Sequence, residues 1–192
     1  MESTLVALPN EATLLARTIE NPAAFATIYD HYFPRVYNYI RYRVADGQLA
    51  DDLVSLVFTR ALDRLPSYDP LRGSFAVWLL AIARNAVNDW LRAQKRRRWL
   101  SLETLRDWPD ADSAPEETVL RHERRHDLLR AIAELDDRQR DILALKFAAG
   151  LTNRRIAELT GLSESNVGVI LYRTVRKLRE KLDGRADHGQ AG

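Results

Sequence analysis

Asn85, Asn88, Arg92 and Lys95 follow one another at steps of three and four residues, so on a helix they form one polar stripe. Amides and guanidinium groups are the side chains that read base edges, and cations neutralise phosphates. The stretch that holds them, RGSFAVWLLAIARNAVNDWLRAQKRRRW, runs from Arg72 to Trp99. It opens on a Gly-Ser turn, continues as an apolar helix with Trp78 and Trp90, and ends in Lys95, Arg96, Arg97 and Arg98. One side of such a helix suits docking on a protein scaffold, and the other suits gripping a nucleic acid. An amphipathic core helix with a solvated end is the competing reading, and the rest of the chain weighs against it.

A second constellation lies at residues 152–178. Thr152 can cap a short helix carrying Ile156, Ala157 and Leu159, with Gly161 and Leu162 in the turn that follows. Ser163 can cap a last helix with Val167, Leu171, Thr174 and Leu178 on one face. Small Ala157 permits close crossing. This is the layout of a helix-turn-helix, whose second helix enters the major groove. Val169, Tyr172, Arg173 and Arg176 then point outward, flanked by Lys177 and Arg179, with Ser163, Ser165 and Asn166 near bases or phosphates. A helical hairpin with a solvated basic face is the plainer alternative, but turn, caps and basic face coincide.

A third motif competes. His122-Glu123-Arg124-Arg125-His126 matches H-E-x-x-H, in which two histidines bind zinc and the glutamate is a general base. Arg124 and Arg125 would set two cations beside a dication, and no third ligand with the usual downstream context is evident. Leu120, Leu128, Leu129 and Ile132 fit an ordinary amphipathic helix. We therefore expect no metal and no cofactor.

The 192 residues contain no cysteine, which excludes disulfides, thiolate zinc sites and cysteine nucleophiles. The N-terminus lacks the basic start and apolar run of a signal peptide, and no apolar run approaches a membrane span, so a cytoplasmic protein without membrane contact is expected. Net charge is +2, but its distribution is uneven. Residues 84–99 are strongly basic, whereas residues 101–120 hold Glu103, Asp107, Asp110, Asp112, Glu116 and Glu117 against Arg106 alone. Helical periodicity dominates, with no convincing strand alternation. The expected fold is all-α, with two small helical domains joined by an acidic linker. The expected divisions are residues 12–99, a linker at 100–115, residues 116–182 and a disordered tail at 183–192. Helices are expected at 12–20, at 23–44 with a break near Pro34, at 51–65, and from Ser74 to about residue 98. Asp136 can cap a helix that stops at Gly150.

Taken together, the two halves resemble a bacterial sigma factor of the extracytoplasmic-function class, in the sigma-70 family, which keeps only domains 2 and 4. The resemblance covers about residues 23–182. Tyr29-Asp30-His31-Tyr32-Phe33-Pro34-Arg35-Val36-Tyr37 resembles the family's opening helix, and Asp51-Asp52-Leu53-Val54-Ser55-Leu56-Val57-Phe58 its acidic polymerase-binding segment. Arg72-Gly73-Ser74-Phe75, Trp78-Leu79 and Ile82-Ala83-Arg84-Asn85 resemble the segment that opens and reads the -10 promoter element. Residues 135–145, Gly150-Leu151-Thr152, Ile156-Ala157 and Ser163-Glu164 resemble the domain that reads the -35 element. Order and spacing carry the match more than any single motif.

The resemblance implies a factor without catalytic activity that binds RNA polymerase core enzyme and promoter DNA. An anti-sigma factor is a further partner it allows. Asp51, Asp52, Leu53 and Phe58 would bind core enzyme. Arg72, Ser74, Phe75, Arg84, Asn85, Asn88, Arg92, Lys95, Arg96 and Arg97 would serve the -10 element, with a flipped base held near Asn85. Thr152, Ser163, Ser165, Asn166, Val169, Tyr172, Arg173, Arg176 and Lys177 would serve the -35 element. Two departures stand out. Ser55-Leu56 replaces the family's Gln-Glu, leaving Asp51 and Asp52 as polar contacts. The recognition helix reads Val167-Gly168-Val169-Ile170, where Val169 can pack on a thymine methyl and Gly168 weakens the helix slightly. A helix-turn-helix regulator without sigma activity is the alternative, but it leaves residues 72–99 unexplained.

Overall fold

The computed structural model describes residues 8–44, 46–100 and 127–188, with side chains to residue 96 in the second stretch and to 183 in the third. Both the acidic linker and the H-E-x-x-H motif lie outside the described residues. Those described form helices and turns, with no strand among them. No helix among them is long and apolar enough to cross a membrane.

Four helices build the N-terminal unit: α1 (Glu11–Glu20), α2 (Phe25–Arg43), α3 (Gly47–Arg64) and α4 (Phe75–Leu100). Helix α2 runs unbroken through Pro34, contrary to the expected interruption. Pro34 lies on the exposed face, where water can hydrate the carbonyl that its missing N–H leaves free. Helix α3 starts a turn earlier than expected, because Asp46 caps it by accepting from the Leu49 N–H at 3.2 Å. The apolar faces of α2, α3 and α4 meet around Ile28, Tyr39, Ile40, Val54, Val57, Phe75 and Leu79, all nearly inaccessible.

The C-terminal unit comprises α5 (residues 127–133 as described), α6 (Asp137–Leu143), α7 (Asn153–Thr160) and α8 (Glu164–His188). A π-helical turn, Ala144–Ala148, continues α6. The expected caps form: Asp136 accepts from Gln139 N–H at 2.7 Å, Thr152 from Arg155 N–H at 3.3 Å and Ser163 from Asn166 N–H at 3.2 Å. The tail expected from residue 183 is instead helical as far as His188. Lys181 pairs with Glu134, and Leu182 packs on a small core of Ala131, Ile132, Leu135, Leu143 and Leu178, which anchors the end of α8.

The two units share the main core. Ile142, Leu145, Leu151, Ile156, Val167 and Leu171 belong to the same buried cluster as the residues of α2 and α4. The chain thus folds as two units pressed together.

Two glycines of the helix-turn-helix should respond oppositely to alanine. Gly161 sits at φ 73°, in the left-handed region that a Cβ disfavours. Gly168 is helical, and a Cβ there would meet Asn153 Nδ2 at 3.9 Å, an ordinary contact. Gly161→Ala should destabilise the protein by about 1 kcal/mol and Gly168→Ala stabilise it by about 0.5–1 kcal/mol. Urea denaturation followed by circular dichroism reads both signs.

Candidate nucleic-acid interface

The loop between α3 and α4 is held by its own polar groups and by a nest of rings. The Tyr68 hydroxyl donates to the Gly73 carbonyl at 3.0 Å, and the Asp69 carboxylate accepts from the Leu71 N–H at 2.9 Å. Phe75 lies at the centre of the nest, with ring centroids 5.4 Å from Tyr32, 5.5 Å from Tyr68 and 5.3 Å from Trp78. Phe75 is fully buried, so its expected role on DNA is corrected: its ring is part of the core and supports the loop from beneath. Arg72 and Ser74 are exposed on the loop. Beside them is a cavity of about 200 Å³ lined by Tyr68, Arg72, Ser74, Val77 and Trp78, with Leu159 of α7 closing one side.

The polar stripe of α4 divides along its length. Asn85, Arg92 and Arg96 are exposed, and Arg92 pairs with Asp89 at 3.4 Å. Arg84, Asn88 and Lys95 line the opposite edge, which faces the C-terminal unit, with the Lys95 side chain still 63% exposed. The Arg97 side chain lies beyond those described.

That edge meets a polar cluster centred on Asp141, a buried carboxylate that sequence reasoning passed over. Asp141 Oδ1 accepts from the Tyr39 hydroxyl at 2.7 Å and lies 3.5 Å from Arg43 Nε. Asp141 Oδ2 accepts from Arg84 Nε at 2.7 Å. Arg84 also donates to the Leu159 carbonyl at 3.1 Å. Arg43, only 2% exposed, donates to the Asp137 carbonyl at 2.8 Å and to Asn88 Oδ1 at 3.0 Å. Lys95 pairs with the Asp137 carboxylate, which holds that carboxyl below its ordinary range. Arg84 and Asn88 are thus drawn into a seam between the units and are not free on a DNA-facing surface, a correction to the single stripe. The sign of charge was the available signal: Asp141 sits on the apolar face of α6, between Ile142 and the helix start.

On α3, Asp51 and Asp52 are exposed as expected, but Leu53 and Phe58 are 5% and 4% exposed. This corrects their assignment to a polymerase-binding surface. Phe58 packs on Phe25 and Tyr29 inside the unit, with centroids at 6.2 and 4.5 Å. The exposed apolar group of that helix is Leu56, 38% accessible, beside Asp52, Ser55 and Thr59. On α8, Val167, Leu171, Thr174 and Leu178 face inward, while Val169 and Tyr172 are 44% and 69% exposed. Arg173, Arg176 and Lys177 are exposed with them, and so are Thr152, Ser163, Ser165 and Asn166. Arg176 pairs with Glu180 at 3.2 Å. Among the described residues no group of three or more His, Asp or Glu is placed to hold a metal ion.

Comparison with known proteins agrees with this layout. Residues 28–97 match the model of sigma-70 region 2, and residues 125–178 match that of sigma-70 region 4. The chain belongs to the sigma-70 family of RNA polymerase sigma factors. Its relatives place it in the extracytoplasmic-function branch. It is 34% identical to the sigma factor BldN of Streptomyces coelicolor over 83% of this chain and 60% of that one. It is 30% identical to SigX of Bacillus subtilis, over 83% of this chain and 84% of that one. The fold resembles the sigma factor RpoE solved with the anti-sigma factor NepR from Bartonella quintana, with a TM-score of 0.72 and 19% identity over 83% of this chain and 96% of that one.

The seam carries a pH signature. Burial first, then the charge of Asp141, pushes the Tyr39 hydroxyl well above its ordinary value of 10.0. The folded state therefore favours the neutral phenol, and its contribution is complete below the unfolded value and lost as pH rises from there through the folded one. Stability should fall above about pH 10, with a slope approaching 1.4 kcal/mol per pH unit for each such tyrosine. Tyr39→Phe should flatten this slope without abolishing it, since Tyr32, raised by burial and by Glu11, acts in the same direction. Denaturant titrations at several alkaline pH values give the two slopes.

Proposed function

We propose that this chain joins RNA polymerase core enzyme through α3, reads a duplex -35 element with α8, and holds the melted -10 strand along α4 and the preceding loop. The observation that carries this reading is the loop cavity at the start of α4. A cavity walled by Tyr68 and Trp78, with Arg72 and Ser74 at its mouth, suits a base taken out of the stack. Asn85 offers an amide on the same helix, and Arg92 and Arg96 offer cations for nearby phosphates. Capturing a base that can be bound only after it is unstacked favours the open duplex. The chain does no bond chemistry of its own and works in the cytoplasm with the polymerase.

On α3, Asp51, Asp52, Ser55 and Leu56 make a small mixed surface, suited to a basic and apolar groove on the polymerase. On α8, Val169 and Tyr172 present apolar and aromatic surface beside Arg173 and Arg176. The recognition is therefore expected to combine phosphate contacts with packing on thymine methyls. Relatives solved with anti-sigma factors make such a partner a reasonable addition. Run-off transcription with core enzyme on genomic fragments, followed by start-site mapping, tests the whole reading. Absence of any factor-dependent transcript across the genome would refute it.

Charge reversal of Asp51 and Asp52 to Lys should weaken core binding at least about tenfold while leaving the fold intact, since exposed charges contribute little to stability. A pull-down titration with core enzyme measures it. The two DNA surfaces should separate by step. Asn85→Ala should impair promoter opening, read by permanganate footprinting, more than initial binding, and a pre-melted promoter should rescue it. Arg173→Ala with Arg176→Ala should weaken duplex binding before opening and reduce its salt dependence by up to about two phosphate contacts. Loss of duplex affinity alone in Asn85→Ala, without rescue, would contradict the role given to α4.

A further inference from the structure

Gly168 is the fifth residue of α8, and nothing in the fold requires a glycine there. Glycine is disfavoured inside a helix, because its backbone loses the most freedom on folding. A fold needs one where φ is positive or where a neighbour leaves no room for a Cβ. Gly168 meets neither condition. It has none of the positive φ found at Gly73, Gly150 and Gly161. Apart from the adjoining residues, a Cβ on it would have one described neighbour within 4 Å, Asn153 Nδ2 of α7 at 3.9 Å. The result is a gap in the outward side of α8. Val169, 44% exposed, adjoins it in the chain. Ser165 lies one turn before it and Tyr172, 69% exposed, one turn after, so both share its side of the helix. Asn153 stands at the wall. Its Oδ1 is buried without a hydrogen-bond partner among the described residues, so no bond through that atom ties the amide to the chain.

We propose that Gly168 and Asn153 form a notch that reads thymine: the C5-methyl of one thymine in the major groove enters the gap over Gly168, and the Asn153 amide donates to O4 of the same base. The inference rests on the assignment of α8 to the duplex -35 element. Among the bases, thymine alone presents an acceptor beside a methyl on its major-groove edge. The notch offers the complement, a donor beside apolar surface from Val169 and the helix backbone. Cytosine would set its own donor against the amide N–H and leave the gap empty. A side chain at position 168 would occupy the space of the methyl and hold the base pair away from the helix. Gly168 thus weakens α8 as a helix and improves its fit to one base.

The test uses holoenzyme and a -35 duplex that it selects from a randomised pool. Each thymine of the selected element is replaced singly by uracil, which removes only the methyl. Wild type should lose about threefold in affinity at one position. On the thymine duplex, Gly168→Ala should bind about fivefold and Gly168→Leu at least about tenfold more weakly than wild type, in order of size. Neither should distinguish thymine from uracil at that position. Asn153→Ala should bind about threefold more weakly and keep the distinction, since the methyl site is intact. Core-enzyme affinity should be that of wild type in all three. Urea denaturation separates these losses from misfolding, because Gly168→Ala is expected to be more stable than wild type. A folded Gly168→Ala that binds the thymine duplex as tightly as wild type, or still distinguishes uracil, would overturn the notch. Selection of no duplex at all would instead overturn the assignment of α8, and the notch with it.

Discussion

Three side chains of the N-terminal unit, Tyr39, Arg43 and Arg84, converge on the single carboxylate of Asp141, and the arrangement of the two units depends on that convergence. Burial sets the stakes. Arg43 is 2% exposed and the Asp141 side chain 7%, so neither charge keeps much water. A buried pair of this kind contributes little net stability, because desolvation offsets most of the attraction. Removing one partner is a different matter: the charge left behind is buried and unpaired, which costs about 3–5 kcal/mol while the seam stays shut. Such a cluster specifies how two surfaces meet more than how tightly they do so.

The apolar part of the seam follows a different rule. Ile142, Leu145 and Leu151 join the core of α2 and α4 without directional demands. They supply attraction, whereas Asp141, Asp137 and their partners supply register. The same division holds within the N-terminal unit. Phe75, Tyr32, Tyr68 and Trp78 pack as a ring cluster, and the Tyr68 hydroxyl then fixes the loop through the Gly73 carbonyl. A loop of ten residues, 65–74, carrying polar side chains is held in place by what lies beneath it. That is a requirement for any loop that must receive a base with defined orientation.

Much of the fold was legible because its signals are local. Asp136, Thr152 and Ser163 cap their helices through bonds spanning three residues, so residue type and spacing were enough. The inward face of α8 followed from the period of Val167, Leu171, Thr174 and Leu178, all buried. Pro34 misled because its effect depends on whether water reaches the freed carbonyl, which is a property of the surface and not of the residue. The helical end of α8 was missed for a related reason: Leu182 and Lys181 are held by residues near 131–134, half a hundred positions away in sequence.

The sequence by itself determined the helices, their caps, the helix-turn-helix and the order of two units that marks the family, since each is written in contacts of a few residues or in a spaced pattern. It also singled out Asp51, Asp52, Asn85, Arg173 and Arg176, all of which are exposed. Only the tertiary structure decided that Leu53, Phe58 and Phe75 are core, because an apolar residue in a motif has the same letter whether it faces a partner or its own neighbours. Only the tertiary structure joined Arg84 to Asp141, 57 residues on, and divided the stripe of α4 into a covered and an open edge. Helical period says which side chains share a face. What lies against that face depends on how two helical units pack, and no local pattern encodes it.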